Sequence, residues 1–322
     1  MPRFECYQTL PGISGMNKGP KKDVAASVRQ RLLDIAREKE EDFNFILTRY
    51  GLERALYRLS QSEWRDQFLL KGAMLFTFWH DDPHRPTRDA DFLGFVNAEI
   101  DEVTSIFQSL CDLKVEDDGL ILDSKSVRAE EIRENNAYEG IRVRLNGKLS
   151  SANITLQFDI GFGDVVTPGS EDIVYPTLLD QEAPRLKAYP IYTVIAEKFE
   201  ATVKLGIANS RMKDFYDLWK LAQKFDLEGQ ILMNAIKATF ERRKTEIPKN
   251  IPLAFSKEFY DDDLKKKQWV AFLNKNGMDD NNNLEEVTEF LEELLMPVVH
   301  SIGAEEKMEM NWSSSDKWVN KN

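Results

Sequence analysis

Two cysteines in 322 residues, Cys6 and Cys111, are too few and too far apart for a disulfide framework. Their scarcity points to a reducing, cytoplasmic setting. No apolar run is long enough to span a bilayer. The opening MPRFECYQTLPGISG has none of the apolar middle that a signal peptide needs. Positive charge is also short: 43 Lys and Arg face 55 Asp and Glu, a net charge of −12, which argues against a general nucleic-acid coat protein. A local basic groove stays open, with IRVRL (Ile141 to Leu145), ERRK (Glu241 to Lys244) and LKKKQW (Leu264 to Trp269) as candidates and solvated faces as the alternative. There is no internal repeat.

What is present is enough apolar residue, 42%, for a real core. Residues 1–22, rich in Gly, Pro and Lys, read as a flexible leader, and Met16 is an alternative start to Met1. Helical periodicity follows at Val24 to Lys39 and Phe43 to Leu59. A short strand FLL runs into Lys71-Gly72. AMLFTFWH reads as helix, DADFLGF as strand, and Ile100 to Cys111 as helix. Between Leu113 and Ile160 the chain favours strands: LILD, SVRAEEI, IRVRL and NITLQFDIGF. Helical patterns return at Thr193 to Gly206 and continue through RMKDFYDLWKLAQKF, ILMNAIKATFERR, LKKKQWVAFLNK and NLEEVTEFLEELLMPVVH, the last two parted by MDDNNN. The expected fold class is α+β, with a first domain over 23–185 built on a small mixed sheet and a helical C-terminal lobe over 186–322.

The chemistry concentrates between Phe68 and Phe95. Asp89 and Asp91 stand two apart on a strand and so share a face. Adjacent carboxylates repel, and a dry core does not tolerate them unpaired. They make sense as joint ligands of Mg²⁺ or Mn²⁺, which take oxygen donors and keep substrate phosphate as a partner. Two such ions about 3.5–4 Å apart can hold the attacking and leaving oxygens of a phosphoryl displacement. Upstream, Gly72 lets backbone approach a ligand closely, and the small Ala73 opens a helix whose first N–H groups attract phosphate. Asp159, on the face opposite Ile154, Leu156, Phe158 and Ile160, is the favoured third carboxylate, with Asp164 its competitor. Arg88 is a candidate phosphate or RNA contact. His80 and His84 flank a proline-containing loop, where zinc binding, general-base chemistry or simple exposure are all open. The aromatics Phe76, Phe78, Trp79, Phe215, Tyr216 and Trp219 read as core rather than as base-stacking platforms.

KGAMLF, RDADFLGF, LQFDIGFGDVVTPG, AEKFEATVKLG and NSRMKDFYDLW, spread over Phe43 to Gln223, together resemble the AbiEii/AbiGii nucleotidyltransferase toxins of type IV toxin–antitoxin and abortive-infection systems, MenT-like proteins among them. The resemblance implies a minimal nucleotidyltransferase core of the DNA polymerase β type followed by a helical lobe. Its Gly-rich turn matches Gly72-Ala73, although many members carry Gly or Ser where this chain has Ala73. Its D-x-D matches Asp89 and Asp91. Its lysine motif matches Lys198, and its [RK]-D-x-x-D matches Lys213-Asp214 and Asp217. Read from the residues alone, Lys198 either reaches a β- or γ-phosphate or snorkels from a helix face. Asp214 and Asp217 either orient Lys198, act as general base, or pair structurally with Arg211 or Lys213.

The function expected from this reading is transfer of a nucleoside monophosphate from an NTP, with Asp89, Asp91, Lys198 and Asp214 as catalytic residues. Gly72, Ala73, Arg88 and Lys198 would bind the nucleotide, and Asp89, Asp91 and Asp159 the metal. The resemblance implies the 3′ end of tRNA as acceptor and a winged-helix antitoxin as partner. The alternatives are a small-molecule or protein acceptor, or an NTP-binding module without turnover.

Overall fold

The structure, a computed structural model, describes residues 23–79, 87–134, 137–278 and 282–321. The expected leader, His80 and His84 lie outside them. Helix α1 (Val24–Glu38) begins where the Asp23 carboxylate accepts from the Ala26 N–H, and α2 (Phe43–Ser60) where Asp42 does the same for Phe45. After a short 3₁₀ turn come β1 (Phe68–Lys71), α3 (Met74–Trp79), β2 (Asp89–Gly94) and α4 (Ile100–Asp112). Three long strands follow, β3 (Leu120–Glu134), β4 (Ala137–Leu149) and β5 (Ala152–Phe162), then the short β6 (Glu171–Val174) and β7 (Arg185–Ala188).

These seven strands form one mixed sheet in the order β3-β4-β5-β2-β1-β7-β6. The β2–β5 and β1–β7 pairs are parallel, and the other four are antiparallel. The α+β expectation holds, but the sheet is larger than the sequence pattern marks. LILD and SVRAEEI are one strand, interrupted by a register shift between Asp123 and Arg128. The strands EDIV and RLKA are only four residues long, too short for a period of two to mark them in the sequence.

One sheet face is packed. Alternation on β5 buries Ile154, Leu156, Phe158 and Ile160, and β2 contributes Ala90 and Phe92. Against them lies the apolar stripe of α4 (Val103, Ile106, Phe107, Leu110), with Phe107 at 5.0 Å from Phe158 and Phe68 edge-on to Phe92 at 5.8 Å. Helix α2 is pinned by a buried charge cluster: Asp118 accepts from Arg54 at 3.0 Å and from both terminal nitrogens of Arg58 at 2.7 and 3.2 Å.

From β7 the chain turns through Pro190 into α5 (Ile191–Leu205), then α6 (Met212–Lys224), the two-residue β8 (Leu227–Glu228) and α7 (Gly229–Arg243). The short α8 (Lys257–Tyr260), α9 (Asp263–Lys275) and α10 (Leu284–Gly303) complete the helices. Phe199 of α5 packs on Phe240 of α7 at 5.3 Å and stacks on Phe255 at 6.0 Å. Phe215, Tyr216 and Trp219 of α6 are buried, as the core reading expects. This half is not wholly helical: a hairpin of β9 (Met310–Ser313) and β10 (Lys317–Asn320) pairs with β8.

Candidate active site

The face of the sheet opposite α4 carries charge. On β2, Asp89 and Asp91 are half-buried while Ala90 and Phe92 turn into the core, so the period of two puts both carboxylates on the outer face. Strand pairing then extends a row across four strands. Lys71 of β1 is the partner of Asp91, Asp91 is the partner of Asp159 on β5, and Asp159 is the partner of Arg142 on β4. One step along, Asp89 is opposite Gln157.

Gly72 follows Lys71 with φ +71°. A β-carbon at this position would lie 2.0 Å from Asp91 Oδ2 and 2.7 Å from its Cγ, so the turn backbone lies directly against the carboxylate. Ala73 is buried behind it, and α3 starts one residue later and is only six residues long. Burial, and next the neighbouring charge of Asp89, raise the Asp91 pKa to about 6, against the opposing pull of Lys71 and Lys213. Asp89 Oδ1 accepts from the Thr87 hydroxyl at 2.7 Å. Arg88, between them in sequence, is exposed.

The pair suits a hard divalent cation. Both donors are carboxylate oxygens on one face, and the missing β-carbon at Gly72 lets the turn backbone meet the Asp91 carboxylate. Asp159 is differently placed: its two oxygens accept from Arg142 Nε at 2.8 Å and Nη2 at 2.6 Å. Among the described residues, no three His, Cys, Asp or Glu side chains converge as a metal-binding group.

Lys198 projects from α5 between two acids of α6. Its ammonium donates to Asp214 Oδ1 at 2.7 Å and to Asp217 Oδ2 at 2.8 Å. Arg211 stands farther from Asp214, at 3.8 Å. The two aspartates therefore hold the lysine ammonium between them. Lys213, between Met212 and Asp214, is exposed, and its positive charge opposes the rise of the Asp91 pKa.

A second ion cluster joins the sheet to the helices. Lys71 Nζ is 3.4 Å from Asp164 and 3.7 Å from Glu197 of α5. Arg243, the last residue of α7, contacts Asp164 and Glu197 at 3.1 Å and the buried Glu200 at 3.0 Å. Burial alone would raise the Asp164 pKa, but Lys71 and Arg243 together hold it below the usual carboxylate range.

The three basic runs are largely engaged internally. Arg144 meets Glu130 at 2.6 Å, Arg242 donates to the Gly163 carbonyl, and Lys265 is buried with its ammonium on the Asn209 carbonyl at 2.8 Å. Lys71, Arg142, Glu197 and Arg243 were not singled out as site residues by sequence reasoning. For Arg142 a signal existed: Ile141, Val143 and Leu145 alternate with it, which sends it to the same outer face as Asp159.

Residues 54–293 match the model of the family described as "Nucleotidyl transferase AbiEii toxin, Type IV TA system". The chain belongs to the AbiEii family. Every charged residue of the site falls within the matched span. Membership makes this chain a nucleotidyltransferase toxin by family, and a type IV system implies an antitoxin partner. None of the curated proteins matches it. Among solved structures it is similar to JHP933 from Helicobacter pylori, at 16% identity over 79% of this chain and 94% of that one, with a TM-score of 0.44. A second Helicobacter pylori structure, of a candidate nucleotidyltransferase, is 15% identical over 80% and 96% of the two chains, with a TM-score of 0.46. Among the described residues no helix is long and apolar enough to cross a membrane.

Proposed function

We propose that this AbiEii-family chain transfers a nucleoside monophosphate from an NTP to the 3′ end of tRNA, blocking translation. The observation that carries the transfer reading is the apposition of the Gly72 backbone to Asp91, with Asp89 on the same face. In this reading Asp89 and Asp91 hold Mg²⁺ or Mn²⁺, which when bound neutralises triphosphate charge. Gly72 and Ala73 line the triphosphate, Arg88 stands at the rim, and Lys198 steadies the phosphates from the far side. Asp214 and Asp217 fix the lysine in place, so it needs no reorganisation when substrate arrives. The acceptor hydroxyl oxygen bonds to the α-phosphorus, the bond to the β-phosphate oxygen breaks, pyrophosphate leaves, and the hydroxyl proton passes to a nearby carboxylate or water. Positioning and charge neutralisation supply most of the rate.

The tRNA acceptor rests on the resemblance to MenT-like toxins. The net charge of −12 and the paired state of Arg142, Arg144, Arg243 and Lys265 favour a second reading, in which the same transfer is made to a small molecule or a protein side chain.

One experiment separates them. Purified protein is incubated with total tRNA, Mg²⁺ and each α-labelled NTP, beside Asp91→Asn. Label on RNA with the wild type alone is the expected result. Label on protein or on a metabolite from extract, with none on RNA, moves the acceptor to the second reading. No label anywhere while NTP still binds leaves a binding module without turnover.

A further inference from the structure

The row Lys71–Asp91–Asp159–Arg142 runs plus, minus, minus, plus across neighbouring strands, whose spacing is about 4.8 Å. With no nucleotide bound to supply phosphate oxygens, a second divalent cation needs carboxylate oxygens beyond those of one pair. Here neither flank offers them. On one side, Asp159 gives both oxygens to a forked, charge-assisted contact with Arg142 at 2.8 and 2.6 Å, and freeing it means breaking two of the strongest kind of hydrogen bond. On the other side, the next acids are Asp164 and Glu197, already shared between Lys71 and Arg243. Beside Asp89 the neighbouring strand presents the neutral Gln157, whose oxygen accepts from Arg144 at 3.2 Å. The only carboxylates on this face without a cationic side chain at hydrogen-bonding distance among the described residues are Asp89 and Asp91 themselves.

We propose that the site takes a single divalent cation, on Asp89 and Asp91, and that Lys71 and Arg142 are positioning residues supplying positive charge on either side of it. The inference rests on the transfer reading for the metal but not on any choice of acceptor. It assigns Asp159 to Arg142 rather than to the metal. Mg²⁺ sites of this economy are chemically ordinary: one or two carboxylates, with waters and substrate phosphates completing the shell. Lys71 is suited to its part because the Gly72 turn and its strand partner Asp91 fix its backbone, while its ammonium contacts, at 3.4 and 3.7 Å, are loose enough to shift toward a triphosphate.

The test counts ions on the nucleotide-free full chain, by the loss of the free Mn²⁺ resonance on binding. One Mn²⁺ per chain is expected for the wild type, none for Asp91→Asn, and still one for Asp159→Asn. Arg142→Gln, by releasing Asp159, is expected to bring a second ion. Lys71→Met is expected to tighten the single site about tenfold, because one opposing charge is removed from beside Asp91. Two ions on the wild type, with one lost in Asp159→Asn, would overturn the proposal, as would no binding at millimolar Mn²⁺. An unchanged count in Arg142→Gln, or weaker binding in Lys71→Met, overturns the part assigned to that residue. Should Arg142→Gln fail to fold, Asp159→Asn decides alone. Because the count needs no acceptor, failure of RNA labelling leaves it readable, and a two-ion result leaves nucleotide transfer standing.

Discussion

Gly72 and Asp91 are a single structural unit: the glycine backbone occupies, at φ +71°, a position from which any β-carbon would strike the aspartate carboxylate at 2.0 Å. Gly72→Ala therefore carries a left-handed backbone cost of about 1–2 kcal/mol and, in addition, displaces Asp91. The expected outcome is loss of nucleotide transfer by roughly 100-fold or more, out of proportion to the drop in melting temperature. Steady-state transfer rates beside thermal unfolding check it. A variant as active as wild type would show that the turn does not shape the site.

Asp91 is costly to the metal-free fold. Its pKa is raised from the usual carboxylate value to about 6 by burial and then by Asp89, so the folded state favours the protonated acid. The folded chain therefore binds more protons than the unfolded one between about pH 4 and 6, and stability falls as pH rises through that window. Asp91→Asn removes this penalty. It is expected to be more stable than wild type at pH 7.5 by on the order of 2 kcal/mol, with the advantage vanishing below about pH 4, while transfer is lost. Denaturant unfolding at several pH values, in EDTA, measures it. A destabilised variant at pH 7.5 would mean that Asp91 is compensated in the folded protein.

Lys198 is held by two acids that are themselves buried: the Asp214 and Asp217 side chains are 8% and 0% exposed. Lys198→Met takes the cation from both, and breaking such a buried arrangement costs about 3–5 kcal/mol. The double variant Lys198→Met with Asp217→Asn is expected to regain part of that stability and none of the activity. Melting temperatures with a nucleotide-binding titration separate the two effects. Full recovery of NTP affinity in the double variant would remove Lys198 from the phosphate site.

What was legible in the sequence was what local periodicity encodes. Alternation put Asp89 and Asp91 on one face of their strand and turned Asp159 away from the apolar set of its own, and the helical spacing of Asp214 and Asp217 put both within reach of one partner. What was not legible depends on pairs far apart in the chain. Lys71 and Asp164 are 93 residues apart, and Arg243 and Asp164 are 79 apart. Their meeting follows from the β1–β7 and β2–β5 crossings, which no local pattern announces. The basic runs misled for the same reason: Arg142 and Arg243 read as surface charge until their acidic partners arrived from other strands and helices.

The same long-range logic fixes the other end of the sheet, where Asp118 ties α2 to the start of β3. Asp118 is 3% exposed, accepts from Arg54 and Arg58, and also caps the Leu120 N–H at 3.0 Å. Burial would raise its pKa, but the Arg58 contacts, then Arg54 and the Leu120 N–H, hold it below the usual carboxylate range. A depressed acid contributes stability that is present above the unfolded pKa and is lost as pH falls through the folded one, so this contribution disappears below about pH 4. Asp118→Ala, leaving two buried guanidinium groups without their carboxylate, is expected to cost about 3–5 kcal/mol at pH 7. It lies far from the Asp89–Asp91 pair in the strand order, so the folded fraction should transfer nucleotide at the wild-type rate. Unfolding curves from pH 3 to 7 and activity per folded molecule read the two quantities independently. A loss of less than about 1 kcal/mol would show that Arg54 and Arg58 find other partners.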